Sequence, residues 1–223
     1  MFVTEPNAWL VVVACGLAVC LLAGFLLGRA RTRRQLGDEM ARAAALVADA
    51  EVTARLDPQT AVWNRLGFEE CYNSLRDGRR RSDWPVSLVL LDIDDLKSAN
   101  DTHGHVAGDR LLGCLSHLLS ESIREQDEVG RLGGDEFAIL LPGTSQDDAI
   151  GVAERIRTDV AAMRVPMGET EWSTTISCGV IAVERGESLE SAVDRADKGL
   201  YHAKQHGRNR VAVRGDALRD DGG

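Results

Sequence analysis

Two short stretches of this 223-residue chain carry acids in arrangements suited to chemistry. The first is Arg131-Leu-Gly-Gly-Asp-Glu-Phe137, preceded by Asp127-Glu-Val-Gly and followed by the alternating run Ala138-Ile-Leu-Leu-Pro142. It reads as a β-hairpin with a Gly-Gly turn and with Asp135 and Glu136 at its tip. Glycine admits positive φ and lets a bulky ligand come close to the backbone. Adjacent carboxylates beside such a turn suit divalent-metal and phosphate chemistry. The same four residues also describe a solvated polar tip, so the tetrapeptide alone leaves both readings open. The second stretch is Val86-Ser-Leu-Val-Leu-Leu-Asp92, an apolar run ending in acid. It reads as a buried strand that presents Asp92 at its C-terminal end. Ile93-Asp94-Asp95-Leu96-Lys97 follows, and then Asn100 to Asp109, a polar segment with two histidines and two glycines.

These groups need a framework to hold them. Gly67 to Arg76 reads as a helix, Val86 to Asp92 as a strand, and Val106 to Ile123 as one helix with Leu111, Leu112, Leu115, Leu118 and Leu119 on its apolar face. The hairpin comes next, followed by a helix over Gln146 to Met163 and a strand over Ser173 to Val183. A helix over Leu189 to Gln205 and a short strand over Arg210 to Val213 close the pattern. Helices alternating with strands predict an α/β fold, a mixed central sheet flanked by helices.

Ala8 to Gly28 contains no charge and is mostly Leu, Val and Ala. About 20 such residues span a bilayer as a helix. Arg29, Arg31, Arg33 and Arg34 follow at once, which predicts a single-pass anchor with residues 1–7 outside and the rest in the cytoplasm. A cleaved signal peptide is the competing reading; it fits less well because the basic cluster follows the apolar run. Gly16, Cys20, Gly24 and Gly28 recur every fourth position, as in close helix pairs and as is common in membrane helices generally. Residues 29–56 read as a basic juxtamembrane segment and a helical linker, with a weak heptad seam at Leu36, Met40, Ala43, Val47, Ala50 and Ala54. Asp57-Pro58 ends that helix and opens a domain over 57–214, and 215–223 read as a disordered tail. The net charge is −9, with the acidic excess beyond Leu56, which argues against a nucleic-acid polymer as partner. Of five cysteines none forms a CxxC pair. Cys71, Cys114 and Cys178 read as reduced core residues of a cytosolic domain.

Four blocks in this order resemble the GGDEF family, the diguanylate cyclases. The pattern DxDxFKxxNDxxGHxxGD fits Asp92 to Asp109, with Leu96 where Phe is usual. Gly133 to Phe137 is the signature itself. ADxALYxAKxxGRN appears as Ala196 to Asn209, with Gly199 for the usual Ala. The opening DxLTGLxNR is looser, as Asp57-Pro-Gln-Thr60-Ala-Val-Trp-Asn64-Arg65. The resemblance implies a palm-like sheet similar to nucleotidyl cyclases. It implies condensation of two GTP into cyclic di-GMP with release of two pyrophosphates, on a homodimer that places one GTP on each domain. Two Mg²⁺ per site, or Mn²⁺ instead, are implied as cofactors on Asp92, the Ile93 carbonyl, Asp135 and Glu136; the division of metal and proton-acceptor roles between Asp135 and Glu136 stays open. Guanine is implied at Asn100 and Asp109, with His105 between them either contacting substrate or holding the turn. Lys97, Lys204 and Arg208 are implied to meet phosphates. Arg124 and Asp127 match the family's RxxD inhibitory site for the product, with Arg155 as a further candidate. The alternative is a catalytically weak membrane receptor that binds cyclic di-GMP.

Overall fold

The computed structural model describes residues 52–77, 84–167 and 170–213, together with Met40 and Arg42. The expected membrane span 8–28, most of the linker 29–56 and the tail 215–223 lie outside the described residues. Among the described residues no helix is long and apolar enough to cross a membrane. The chain divides into two units, Met1–Val52 and Thr53–Gly223, and the fold below is that of the second.

Among the described residues from Trp63 on, the elements follow in order: β1 Trp63–Asn64, α1 Arg65–Asp77, β2 Val86–Ile93, α2 Leu96–His103, α3 His105–Glu121, β3 Glu128–Gly133, β4 Glu136–Pro142, α4 Gln146–Ala162, β5 Val165–Met167, β6 Thr170–Trp172, β7 Ile176–Ala182, α5 Leu189–Gln205 and β8 Val211–Val213. Six strands form one mixed sheet in the order β1-β3-β4-β2-β7-β8, and β5 pairs with β6 in a separate hairpin. The β1–β3 and β7–β8 pairs are parallel, and the inner pairs are antiparallel.

β2 is buried along its whole length, as its unbroken apolar run predicts for a central strand. Alternation divides its residues between two cores. Val89, Leu91 and Ile93 join Phe137, Ile139 and Val180 under α3 and α4. Leu88 and Leu90 join Ala138, Leu140 and Ile181 under α1 and α5. By the same parity Asp92 and Glu136 belong to the face that α5 covers. That is how a catalytic-type acid comes to lie beside the last turn of a helix more than a hundred residues later.

The expected helix over Val106–Ile123 is α3, and a short helix that the sequence pattern did not predict, α2, runs before it. The chain turns at Gly104, with φ 81°, and α2 precedes it. Only Leu96 and Ala99 of α2 are buried apolar residues, so its sequence shows no amphipathic period. The expected strand from Ser173 starts only at Ile176, because the backbone of Thr175 accepts from the Asp94 amide instead of continuing a ladder. Cys178 is buried as expected, whereas Cys71 and Cys114 are half-buried.

α5 crosses β7 at Gly179, where backbone meets backbone. A Cβ there would collide with the Ala196 carbonyl and the Leu200 amide. Gly199, in place of the family's alanine, faces the Ala212 carbonyl, which a Cβ would approach to 2.9 Å. Overpacking of this kind costs about 1–3 kcal/mol. Gly179→Ala is therefore expected to lower the thermal midpoint by several degrees, at about 2–4 °C per kcal/mol for a domain of this size. An unchanged midpoint in a calorimetric scan would show that α5 can ride outward freely.

Candidate active site

The acids of the site come from two neighbouring strands. Asp92 near the end of β2 stands directly opposite Glu136 at the start of β4, in antiparallel register. Across its other edge Asp92 faces Ser177 of β7. The hairpin β3–β4 shifts register between Arg131 and Gly133 before its turn, and the Asp135 carbonyl accepts from the Ile93 amide at 3.4 Å. The structure therefore brings Asp92, Ile93, Asp135 and Glu136 to one corner of the sheet.

Like charges facing each other across a ladder repel. Asp92 is 4% exposed, and burial lifts its carboxyl to about 6. Within that balance the Lys204 hydrogen bond works downward and the charges of Asp135 and Glu136 work upward. Lys204 Nζ sits 2.8 Å from Asp92 Oδ1. Among the described residues no three acidic, histidine or cysteine side chains converge into a ready-made metal cage. What exists is a set of hard carboxylate oxygens with surplus negative charge and open positions. That set fits a divalent ion that completes its shell with phosphate oxygens and water. Asp92, Asp135 and Glu136 would hold it.

The cations reach this corner from the end of α5. Lys204 lies in its last turn, and Arg208 lies just beyond it, 3.7 Å from Asp95. Arg208 and Asn209 both have positive φ, 60° and 46°, a conformation that costs non-glycine residues about 1–2 kcal/mol. Asp94 holds that turn. Its carboxylate accepts from the Asn209 amide at 3.0 Å, from Thr175 Oγ1 at 2.6 Å and from Ser177 Oγ at 2.8 Å. Arg157 of α4 clamps the Asn209 side chain at 2.7 Å. Asp94 is a buried structural acid, a staple between β2, β7 and the cation-bearing turn.

The polar helices supply the remaining groups. Lys97 is exposed on the first turn of α2, and His105 opens α3 exposed to solvent. Asn100 packs over Gly108, where a Cβ would collide with its Oδ1, and that oxygen is buried without a hydrogen-bond partner. Asp109 is exposed one residue further along α3. Asn100 and Asp109 thus border one patch, with unmet acceptor capacity at Asn100.

Arg124 and Asp127 form a tight loop between α3 and β3. The Arg124 amide donates to Asp127 Oδ2 at 2.9 Å, and the Asp127 amide returns a bond to the Arg124 carbonyl. Burial raises the Asp127 carboxyl above its ordinary range, partly offset by that amide bond, and its Oδ1 has no partner. A cavity of about 370 Å³ opens beside them, with Trp63 on its wall. Arg155 reaches the same loop through the Ser122 carbonyl at 2.6 Å.

Removing Asp94 leaves the Asn209 amide and two hydroxyls without their acceptor. A buried group so stranded costs about 1–3 kcal/mol. Asp94→Ala is expected to destabilise the domain by about 2–4 kcal/mol in urea unfolding and to speed amide exchange at Asn209; Asp94→Asn keeps one acceptor and should lose less. Equal exchange at Asn209 in all three proteins would show that the turn holds itself.

Comparison with known proteins bears on the whole arrangement. The family described as "Diguanylate cyclase, GGDEF domain" matches residues 54–210. Diguanylate cyclase DgcP of Pseudomonas aeruginosa is 37% identical over 165 residues, covering 74% of this chain and 25% of that protein. Diguanylate cyclase A of Treponema denticola is 39% identical over 149 residues, 66% of this chain and 40% of its own. The chain thus spans well under two thirds of these curated relatives. Among solved structures, the coiled coil and GGDEF domain of DgcB from Caulobacter crescentus, in complex with c-di-GMP, is 28% identical with a TM-score of 0.70, covering 81% of this chain and 98% of that one. With its mixed sheet, its signature acids in register and a match over most of its length, the chain belongs to the GGDEF family of diguanylate cyclase domains.

Proposed function

We propose that this domain is a diguanylate cyclase, joining two GTP molecules into cyclic di-GMP with release of two pyrophosphates. The observation that carries this reading is the pair Asp92 and Glu136, held opposite each other in register with Asp135 alongside, and with only partial neutralisation from Lys204. In each half-reaction the 3′-oxygen of one GTP forms a bond to the α-phosphorus of the other. The bond from that phosphorus to the β-bridging oxygen breaks, and the hydroxyl proton passes to a carboxylate of the Asp135–Glu136 pair. Positioning and charge neutralisation are the main needs of such a transfer. Magnesium ions, when bound, neutralise the phosphates and acidify the attacking hydroxyl. Lys97, Lys204 and Arg208 hold the phosphates. Asn100 and Asp109 read guanine, whose N1–H and amine a carboxylate can accept together; His105 stands beside them.

One GTP per domain requires two domains face to face, so the reading includes a homodimer. The heptad seam of residues 29–56 and the coiled coil of the Caulobacter relative support it. Ala8–Gly28 is proposed as the anchor in the cytoplasmic membrane, supported by its uncharged run and the arginines that follow. The product returns as an inhibitor to Arg124 and Asp127, with Arg155 beside them; the adjoining cavity supports this. Arginine forks onto phosphate or guanine in such sites.

Asp135→Asn is expected to abolish most cyclic di-GMP synthesis from GTP and magnesium while leaving thermal unfolding close to that of the parent. Near-normal synthesis would remove Asp135 from the chemistry. Arg124→Ala should keep synthesis and lose inhibition by added cyclic di-GMP; an unshifted inhibition curve would place feedback elsewhere.

A further inference from the structure

The opening block departs from its family pattern at three positions, Gln59 for leucine, Ala61 for glycine and Val62 for leucine. The first departure puts an amide where the pattern has a hydrocarbon. That amide is held from both ends. Gln59 Nε2 donates to Asp109 Oδ1 at 2.5 Å, and Gln59 Oε1 accepts from Arg131 Nη1 at 2.5 Å. Charge fixes this orientation, since a carboxylate has only acceptors and a guanidinium only donors.

The backbone beneath Gln59 is equally constrained. Asp57 Oδ1 accepts from the amides of Gln59 at 3.2 Å and Thr60 at 2.9 Å and from the Thr60 hydroxyl at 2.7 Å. Partial burial works against the Asp57 charge, yet Thr60 and Arg131 hold the carboxyl below its ordinary range. Arg131 also binds the Gly134 carbonyl through Nε at 3.0 Å and Nη2 at 2.7 Å. One continuous chain of bonds therefore runs from the hairpin tip through Arg131 and Gln59 to Asp109.

We infer that Gln59 is a positioning residue for base selection, orienting the Asp109 carboxylate toward guanine and tying it to the hairpin that carries Asp135 and Glu136. The inference rests on the reading of Asp109 as the guanine acceptor. Asp109 is otherwise an exposed side chain on a helix surface, free to turn among rotamers. A donor on Oδ1 leaves Oδ2 and the remaining lone pairs of Oδ1 for the N1–H and amine of the base. A leucine at position 59 offers no such restraint. In this chain the base-reading group is set by the same arginine that shapes the Gly-Gly turn.

The test is equilibrium binding to the full chain, with 3′-deoxy-GTP and 3′-deoxy-ATP as probes that bind and cannot be joined. Gln59→Leu is expected to weaken 3′-deoxy-GTP by roughly 3–10-fold, the range for one net hydrogen bond, and to leave 3′-deoxy-ATP within about twofold. Gln59→Glu keeps an acceptor for Arg131 but opposes Asp109 with a second negative charge, so it should weaken the guanine nucleotide more than leucine does. If Gln59 only supports Arg131, the order reverses and glutamate is the milder change; if it only supports the fold, both nucleotides weaken together. Either result overturns the inference, as does tighter guanine binding by Gln59→Leu. Asp109→Ser, measured alongside, separates the two layers. If it keeps the guanine preference, the reading of Asp109 falls and the role of Gln59 with it. If it loses the preference while both Gln59 variants keep it, Asp109 stands and Gln59 does not.

Discussion

The site depends on one constraint, the gathering of three carboxylates, Asp92, Asp135 and Glu136, at one corner of the sheet. The sheet register sets Asp92 and Glu136 opposite each other at the edge of a buried core, and burial, together with the charges of Asp135 and Glu136, lifts Asp92 to about 6 against the pull of Lys204. A fold at rest would avoid such a pair. Here the neighbouring elements sustain it by partial compensation. Lys204 contributes one positive charge, Ser177 faces the same residue across the sheet, and the hairpin backbone is pinned to Ile93. The remaining deficit of positive charge is what gives the corner its appetite for a divalent ion and triphosphate.

That compensation depends on a helix that must end in the right place. α5 approaches the sheet closely because Gly179 faces its backbone at Ala196 and Leu200 and Gly199 faces the Ala212 carbonyl, and the approach carries Lys204 to Asp92. Beyond the helix, Arg208 and Asn209 turn back in left-handed conformations that neither residue prefers. Asp94 and Arg157 absorb the cost of that turn through bonds to the Asn209 amide and side chain. Three acids in four residues, Asp92, Asp94 and Asp95, thus each meet a different group of the Lys204–Asn209 segment. Only the first of them faces the chemistry.

The sequence revealed most of what repeats or is chemically obligatory. The long apolar runs of β2 and β4 and the amphipathic period of α5 are strong signals, and α5 runs over the expected residues. The acids of the signature are legible because the chemistry demands those residue types at that spacing. The octapeptide Leu96–His103 carries too few apolar residues to announce a helix, and strands of three residues such as β5 and β6 are too short to show a period. The particular partners of Asp94 and the role of Gln59 were invisible for another reason. The partners of both stand far away in the chain, Thr175 and Ser177 at separations of 81 and 83 residues and Asp109 at 50, so no local pattern joins them. Long-range polar pairing leaves no period to read.

β8 is three residues long and lies at one side of the sheet. Its hold on β7 is a few parallel ladder bonds, one of them from the Cys178 amide to the Arg210 carbonyl at 2.9 Å. Yet it anchors the far end of the turn that delivers Lys204 and Arg208. The cationic half of the site is therefore tied at its far end to a short outer strand, the kind of element with the fewest ladder bonds to hold it.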